Sequence, residues 1–357
     1  MEVFRARLVN DQLGDPALFV GLHWERRALL FDLGPVESLP VRELLKVTDA
    51  FVSHTHIDHF IGFDHLLRVA LGQRRLLRLY GPPGFLGNVQ GKLAGYTWNL
   101  AEDYPLVIEA WELDARTPSV PAKTSRQGPE AQGLEGVSGE LRGARFPCAR
   151  RFHREDLPSR PFYGLLYEDD HFQVECSPLD HGGIPSLGFA LQEKKRLNID
   201  PARLEELGLS PGPWLAELKR ALRQALPPET PMRIAGQGPE GRQERIFTVA
   251  ELASELVRIS SGMRITYVAD ARYTEQNQQA IVRLAGEADV FYCDAAFLEA
   301  DDQAPKDWFH LTARQAGLLA RRAKARRLVP FHFSPRYRDR PEALEQEAAG
   351  AFQGWEV

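Results

Sequence analysis

Short apolar runs bounded by turn-forming residues recur along the chain, at spacings that predict alternating strands and helices. Residues 1–34 read as a meander of strands. Its last run, Ala28-Leu29-Leu30-Phe31, ends at Asp32-Leu33-Gly34, where a polar residue and a glycine mark a turn. A helix is expected near Ser38–Leu45, a buried strand over Ala50-Phe51-Val52 and a helix over Phe63–Ala70. Arg78-Leu79-Tyr80 reads as a strand broken by Gly81-Pro82-Pro83-Gly84. Order returns at Phe162–Tyr167, and His171–Ser177 alternates like a strand that runs on to His181. Arg264–Asp270 and Val290–Asp294 are strands about one βαβ unit apart, each closed by a carboxylate. Thr312 and Gln315 fit a capping box opening a helix to Lys324. Arg327–His332 is a last strand, and Pro330, which has no N–H, predicts an edge position for it. The alternation points to an α/β layered fold.

Two stretches depart from this rhythm. Pro, Gly, Ser, Gln and charged residues dominate Thr117–Arg145, so residues 115–160 read as an insertion, a long surface loop. Residues 193–226 turn polar and helical, with Pro201–Leu207 and Trp214–Leu226 flanking Gly208-Leu209-Ser210-Pro211-Gly212-Pro213. Within 194–224 stand Lys194, Lys195, Arg196, Arg203, Lys219, Arg220 and Arg223 against Asp200, Glu205, Glu206 and Glu217.

That local basic excess matters because the whole chain does not advertise nucleic-acid binding: its net charge is −5 and its pI near 6.1. With 357 residues, 43% hydrophobic and 26% charged, the chain can bury one large core or two ordinary ones. No run of about 18 apolar residues appears, so no membrane partner is expected. Met1-Glu2-Val3-Phe4-Arg5 lacks the basic and apolar regions of a signal peptide. Three scattered cysteines, Cys148, Cys176 and Cys293, argue against a disulfide framework and fit a reducing, cytoplasmic setting.

The candidate chemistry is concentrated directly after Ala50-Phe51-Val52, in Ser53-His54-Thr55-His56-Ile57-Asp58-His59. Three imidazoles and a carboxylate fall within six positions of a chain with only 10 His. Side chains alternate along a strand, so His54 and His56 leave its end on one face while Asp58 and His59 follow in the turn. Imidazole nitrogen with carboxylate oxygen suits zinc and similar divalent ions. Further polar groups end later strands or sit just beyond: His181, Asp270, Asp294, His310 and His332. One ion can take His54, His56 and His181 and a second Asp58, His59 and His332, with Asp270 bridging. Two ions about 3.5–4 Å apart generate hydroxide near neutral pH and clamp a displacement at phosphorus or carbonyl carbon. His310, just before a helix, is left to bind an anionic oxygen or protonate a leaving group.

His54-Thr55-His56-Ile57-Asp58-His59 has the His-x-His-x-Asp-His form of the metallo-β-lactamase superfamily. The segments Asp180–Phe189, His310-Leu311-Thr312-Ala313-Arg314-Gln315-Ala316 and His332-Phe333-Ser334-Pro335-Arg336-Tyr337 resemble the ribonuclease Z family within it. Gly208–Pro213 is similar to the Gly-Pro motif of that family's protruding arm. The resemblance implies a metallo-β-lactamase αββα sandwich over 1–357 as a single domain, with 193–226 as an inserted tRNA-binding arm. It implies two zinc ions on the ligands just listed, although the same donors accept manganese, iron or cobalt. It gives Asp58 a proton-handling role, makes His310 catalytic, and places Asp294, where the family usually has glutamate, as the group orienting His310. The reaction it implies is cleavage of precursor tRNA just 3′ of the acceptor stem by a homodimer. A hydrolase of small phosphodiesters on the same scaffold is the alternative. Ile57 stands where the family usually has glycine, and Ala269-Asp270-Ala271 where it usually has Gly-Asp-Thr.

Overall fold

In the computed structural model, which describes residues 3–23, 25–73, 75–116, 137–194, 196–238, 241–301 and 309–354, the chain opens as the expected meander. Strands β1 (Phe4–Leu8), β2 (Leu18–Leu22) and β3 (Ala28–Phe31) pair antiparallel in succession. Strands β4 (Val47–Phe51), β5 (Leu76–Gly81) and β6 (Val107–Arg116) follow parallel to β3. Helices α1 (Val41–Leu44), α2 (Ile57–Phe60), α3 (Phe63–Ala70) and α4 (Phe85–Ala94) connect them. Strands β7 (Ser138–Pro147) and β8 (Glu155–Phe162) return antiparallel and complete an eight-stranded sheet in chain order.

The last two strands correct the expectation of a surface loop over 115–160; residues 117–136 of that stretch lie outside the described residues. In β7, Leu141, Ala144 and Phe146 are buried, whereas Glu140, Arg142 and Arg145 face solvent. An antiparallel strand with one wet face carries charge at alternate positions. Gly143 leaves the space taken by the Trp111 ring, 2.5 Å from where a Cβ would sit. Those charges and glycines gave the stretch its loop-like composition.

Strands β9 (Leu165–Glu168), β10 (Phe172–His181) and β11 (Ile184–Glu193) begin a second sheet. The chain then builds a separate compact unit of Glu193–Gly262 with Asp169–Phe172. Here β12 (Arg196–Ile199) pairs with β15 (Val257–Ser260), and β13 (Pro231–Gly238) with β14 (Gly241–Thr248). Helices α5 (Pro201–Glu206), α6 (Trp214–Arg223) and α7 (Val249–Leu256) supply the rest. Asp200 caps α5, with Pro201 in its first turn, and a Thr248–Glu251 capping box opens α7. Leu204, Trp214, Leu218, Met232, Val249, Leu252 and Leu256 make a core of the unit's own. The unit reaches Gly262, well past the expected boundary at 226, because the apolar faces of α5 and α6 need β13 and α7 to cover them.

The remaining residues form the other unit, completed by β16 (Arg264–Val268), α8 (Glu275–Leu284), β17 (Val290–Asp294), α9 (Ala313–Arg322), β18 (Leu328–Phe331) and α10 (Pro341–Gln353). Its second sheet runs β18-β17-β16-β11-β10-β9, with the Pro330 strand at the edge as its missing donor requires. The two sheets meet through stacked and tilted aromatic rings. Phe31 lies 5.1 Å from Phe51, 5.8 Å from Phe189 and 5.9 Å from Tyr267. Helices α3 and α4 cover the first sheet through Leu66, Phe85 and Val89. Helices α8, α9 and α10 cover the second through Ile281, Leu319 and Leu344. The layers are helix, sheet, sheet, helix: the αββα order of a metallo-β-lactamase fold. Among the described residues no helix is long and apolar enough to cross a membrane.

Candidate metal centre

Strand ends deliver the polar residues. The β4 run ends buried at Phe51, Val52 and Ser53, and His54 follows at 0% exposure. Asp58 and His59 lie in α2, the turn after it. Gly62 allows this turn to close on the end of β3: its N–H donates to the Leu33 carbonyl, and a Cβ there would sit 2.0 Å from the Gly34 oxygen. Asp32, Asp270 and His332 each follow the last residue of a strand or its neighbour, and all three are left-handed, with φ of 57°, 41° and 62°. Non-glycine residues there cost on the order of 1 kcal/mol each and cluster at functional sites. In each case the kink turns a strand-end side chain into the same space.

Three groups of side chains place ligand atoms within 4.8 Å of one another: His54, His56, His181 and Asp270; Asp58, His59 and His332; and Asp270, Asp294, His310 and His332. Asp270 is the hub. Its Oδ2 lies 3.5 Å from His54 Nε2, 3.6 Å from His181 Nε2 and 3.3 Å from His59 Nε2. Its Oδ1 lies 2.8 Å from His332 Nδ1 and 3.5 Å from His310 Nδ1. Asp58 Oδ2 faces His59 Nε2 at 3.4 Å and His332 Nε2 at 3.5 Å. Every residue singled out in the sequence for metal or proton chemistry therefore falls in one cluster.

The donors fit divalent cations on two observations. His59 Nε2 is buried without a hydrogen-bond partner, although a buried ring nitrogen ordinarily has one. His54 Nε2 and His56 Nδ1 stand 2.9 Å apart, two ring nitrogens turned to one point. Electrostatics agree. Burial, with the His59 charge beside it, pushes His54 down to about 2, so it is a neutral donor. Burial also disfavours charge on His332 and His59, but Asp270 outweighs it, aided at His59 by Asp32; His332 is pushed up to about 10 and His59 well above its usual value. Burial alone would raise Asp270, yet His59, His332 and His310 hold it well below the usual carboxylate range.

Stripped of metal, the fold thus keeps protons on His59 and His332 near neutral pH. Their stabilisation is fully present below the unfolded value near 6.5 and, for His332, fades as pH rises through about 10. Binding a cation expels these protons, so affinity should climb with pH between 6 and 8, by up to about tenfold per unit for each proton released. Chelator competition at several pH values measures this; a flat profile would show that the imidazoles bind no proton to lose.

Asp32 was read in the sequence only as a turn marker, and its part in the site was missed. It is fully buried and accepts from Ser53 N at 2.6 Å, Ser53 Oγ at 2.9 Å and Tyr267 OH at 2.8 Å, while His59 Nδ1 stands 2.9 Å away. It sets the His59 ring so that Nε2 faces Asp58 and Asp270. The signal was present: a fully apolar strand closed by a carboxylate, the design also seen before Asp270 and Asp294. Because orienting partners of metal ligands are worth about 10–100-fold, Asp32→Asn, which tolerates the left-handed backbone, should weaken metal affinity or activity by that factor. Isothermal titration with zinc and a turnover assay check it. His181 is set similarly, its Nδ1 2.8 Å from the Phe309 carbonyl.

Comparison with known proteins decides the family. A ribonuclease Z from Deinococcus radiodurans is 32% identical over 315 residues, 87% of this chain and 83% of that protein. The chain belongs to the ribonuclease Z family. A ribonuclease Z from Crocosphaera subtropica is 28% identical over 83% of this chain and 72% of its own. Residues 230–333 match a family model described as a beta-lactamase superfamily domain. The short form of human tRNase Z superposes with a TM-score of 0.48 at 19% identity, covering 94% of this chain and 92% of that one. Within this ribonuclease Z family member, His310 Nδ1 lies 3.1 Å from Asp294 Oδ2, which also accepts from Leu311 N at 3.2 Å. The Thr312–Gln315 capping box holds the start of α9 directly after it.

Proposed function

We propose that this ribonuclease Z family member is a zinc-dependent endoribonuclease that cuts precursor tRNA just 3′ of the acceptor stem and leaves a 3′-hydroxyl on the tRNA. The observation that carries it is the convergence of His54, His56, Asp58, His59, His181 and His332 on Asp270. His54, His56 and His181 would hold one ion, Asp58, His59 and His332 the other, and Asp270 both. Divalent ions bound there supply Lewis acidity and make water a nucleophile at neutral pH.

The protein's own groups do the rest. Asp58 keeps a third of its side chain exposed; burial would raise its pKa, but contacts from His332 and His59 outweigh that and hold it as the carboxylate. It can take the proton of attacking water. Burial opposes charge on His310, and Asp294 and Asp270 outweigh it, raising its pKa. His310 is then a proton donor to the leaving oxygen, oriented by Asp294. The unit of Glu193–Gly262 would be the arm that grips the tRNA body, in a homodimer where one subunit's arm holds the substrate cut by the other. Its basic segment, its own core and the exposed Ser210 and Pro211 of the Gly-Pro stretch support that role.

The test is incubation with a precursor tRNA carrying a 3′ trailer, with chelator, zinc or manganese. A single cut after the acceptor stem, abolished by chelator and restored by metal, is expected; scattered cuts or none with any metal would overturn the proposal. Removing the arm is the second test. Deleting only 196–224 would strip its core of half its residues, so the replacement should span Arg196–Ser261; Gly262, where a Cβ would lie 2.1 Å from the Glu193 carbonyl oxygen, lets a short linker join the ends. Cleavage of precursor tRNA should fall by about 10²-fold or more, as expected when many phosphate contacts go, with hydrolysis of an aryl phosphodiester retained. Parallel loss of both would count against the arm.

A further inference from the structure

We propose that Arg272 and Arg336 bind the backbone phosphates that flank the linkage under attack, each presented from an aromatic ring that borders His310. The inference rests on a polynucleotide being the substrate. The metal ligands and His310 account for one phosphodiester, but a chain brings its neighbours, and Asp58, Asp270 and Asp294 alone would repel them. Cations at the rim are what such a centre requires.

Arg272 lies two residues beyond Asp270. Its backbone N–H donates to the Asp180 carbonyl at 3.0 Å, and its guanidinium lies over the Phe309 ring, 5.1 Å from the centroid. Phe309 precedes His310 in the chain, and its carbonyl faces His181 Nδ1. The ring rests on Gly182, where a Cβ would come within 2.1 Å of it. Gly182, with φ of +68°, therefore clears the place for the platform. The Arg272 side chain remains 45% exposed, with only a long 3.7 Å approach to the Asp180 carboxylate.

Arg336 belongs to the His332–Tyr337 stretch and had no role assigned from the sequence. Its guanidinium lies 5.0 Å from the Phe297 ring centroid, and that ring meets the His310 ring edge-on at 6.2 Å. The Tyr337 hydroxyl accepts from Leu298 N at 3.2 Å and donates to Asp301 at 2.7 Å, tying the turn that carries Arg336 to the segment that carries Phe297. Arg336 is exposed. A guanidinium stacked on a ring keeps its plane fixed and its N–H edge outward, the fork that matches two phosphate oxygens. Two such platforms bordering one proton donor suit a chain threaded across it.

The test uses the zinc-loaded full-length protein and a fluorescein-labelled single-stranded RNA tetranucleotide, with anisotropy read across a salt series. Arg272→Gln and Arg336→Gln should each weaken binding about tenfold at low salt, with metal content equal to wild type. Each should also lower the slope of log K against log salt by about 0.7, one phosphate contact on a single strand. Arg→Lys should restore the slope but only part of the affinity. Unchanged affinity in both variants overturns the inference, and so does weaker affinity with an unchanged slope, which would reflect damaged packing. RNA binding that depends on these arginines, in a protein that leaves precursor tRNA uncut, would sink the tRNA substrate and leave the inference standing.

Discussion

Asp270→Asn should lose more than about 10³-fold in phosphodiester hydrolysis and bind less metal, because Asp270 faces both groups of imidazoles. Removing one fixed electrostatic partner at a reacting centre already costs about 10²–10³, and Asp270 serves as counter-charge to His54, His59, His181, His310 and His332 at once. Asparagine is the informative replacement: it keeps the size and accepts the left-handed backbone at φ 41°, whereas alanine would add strain. Without the carboxylate, His59 and His332 lose the charge that outweighs their burial, so both should deprotonate more readily. Metal analysis and a turnover assay decide it. Full metal content with activity within tenfold of wild type would remove Asp270 from the centre.

His310→Ala should cut turnover by about 10²–10⁴, the worth of a positioned general acid, while metal content stays near that of the wild type. His310 stands 3.5 Å from Asp270 and 3.1 Å from Asp294, so it could in principle ligate; the variant separates the two roles. Loss of metal would make it a ligand. In the wild type the raised pKa keeps the acid form available above the ordinary histidine range, and the high-pH limb of kcat should move to lower pH in Asp294→Asn, which withdraws the main raising charge. A limb that does not move would detach Asp294 from His310.

Much of this site could be read from the order of residues alone. The His54–His59 cluster is contiguous, and its ligand types follow from side-chain chemistry that needs no fold to be recognised. Asp270, Asp294 and His332 carried the signature of a strand end, which period-two alternation makes visible locally. The edge position of β18 followed from Pro330, since a missing N–H is a property of one residue. What a wet antiparallel face looks like is not local, so β7 and β8 passed for loop until their partners β6 and β7 supplied the alternation's meaning.

The arm shows the same division. Its basic residues are legible between 194 and 224, while the later stretch to Gly262 carries Arg233, Arg242, Arg245 and Arg258 against Glu229, Glu240, Glu244, Glu251 and Glu255 and looks unremarkable in charge. Met232, Val249 and Leu252 belong to the arm because they pack on Trp214 and Leu218, a pairing no spacing encodes.

By itself, then, the chain's residue order determined the metal chemistry, the α/β class and the family, because each depends on residue type and short-range spacing. Tertiary structure alone decided that Asp32 orients His59 from 27 positions away, that Asp270 stands between two groups of imidazoles, and that Arg272 and Arg336 rest on rings beside His310. Those relations join residues on different strands, and only the packing of one sheet against the other brings them within a few ångströms.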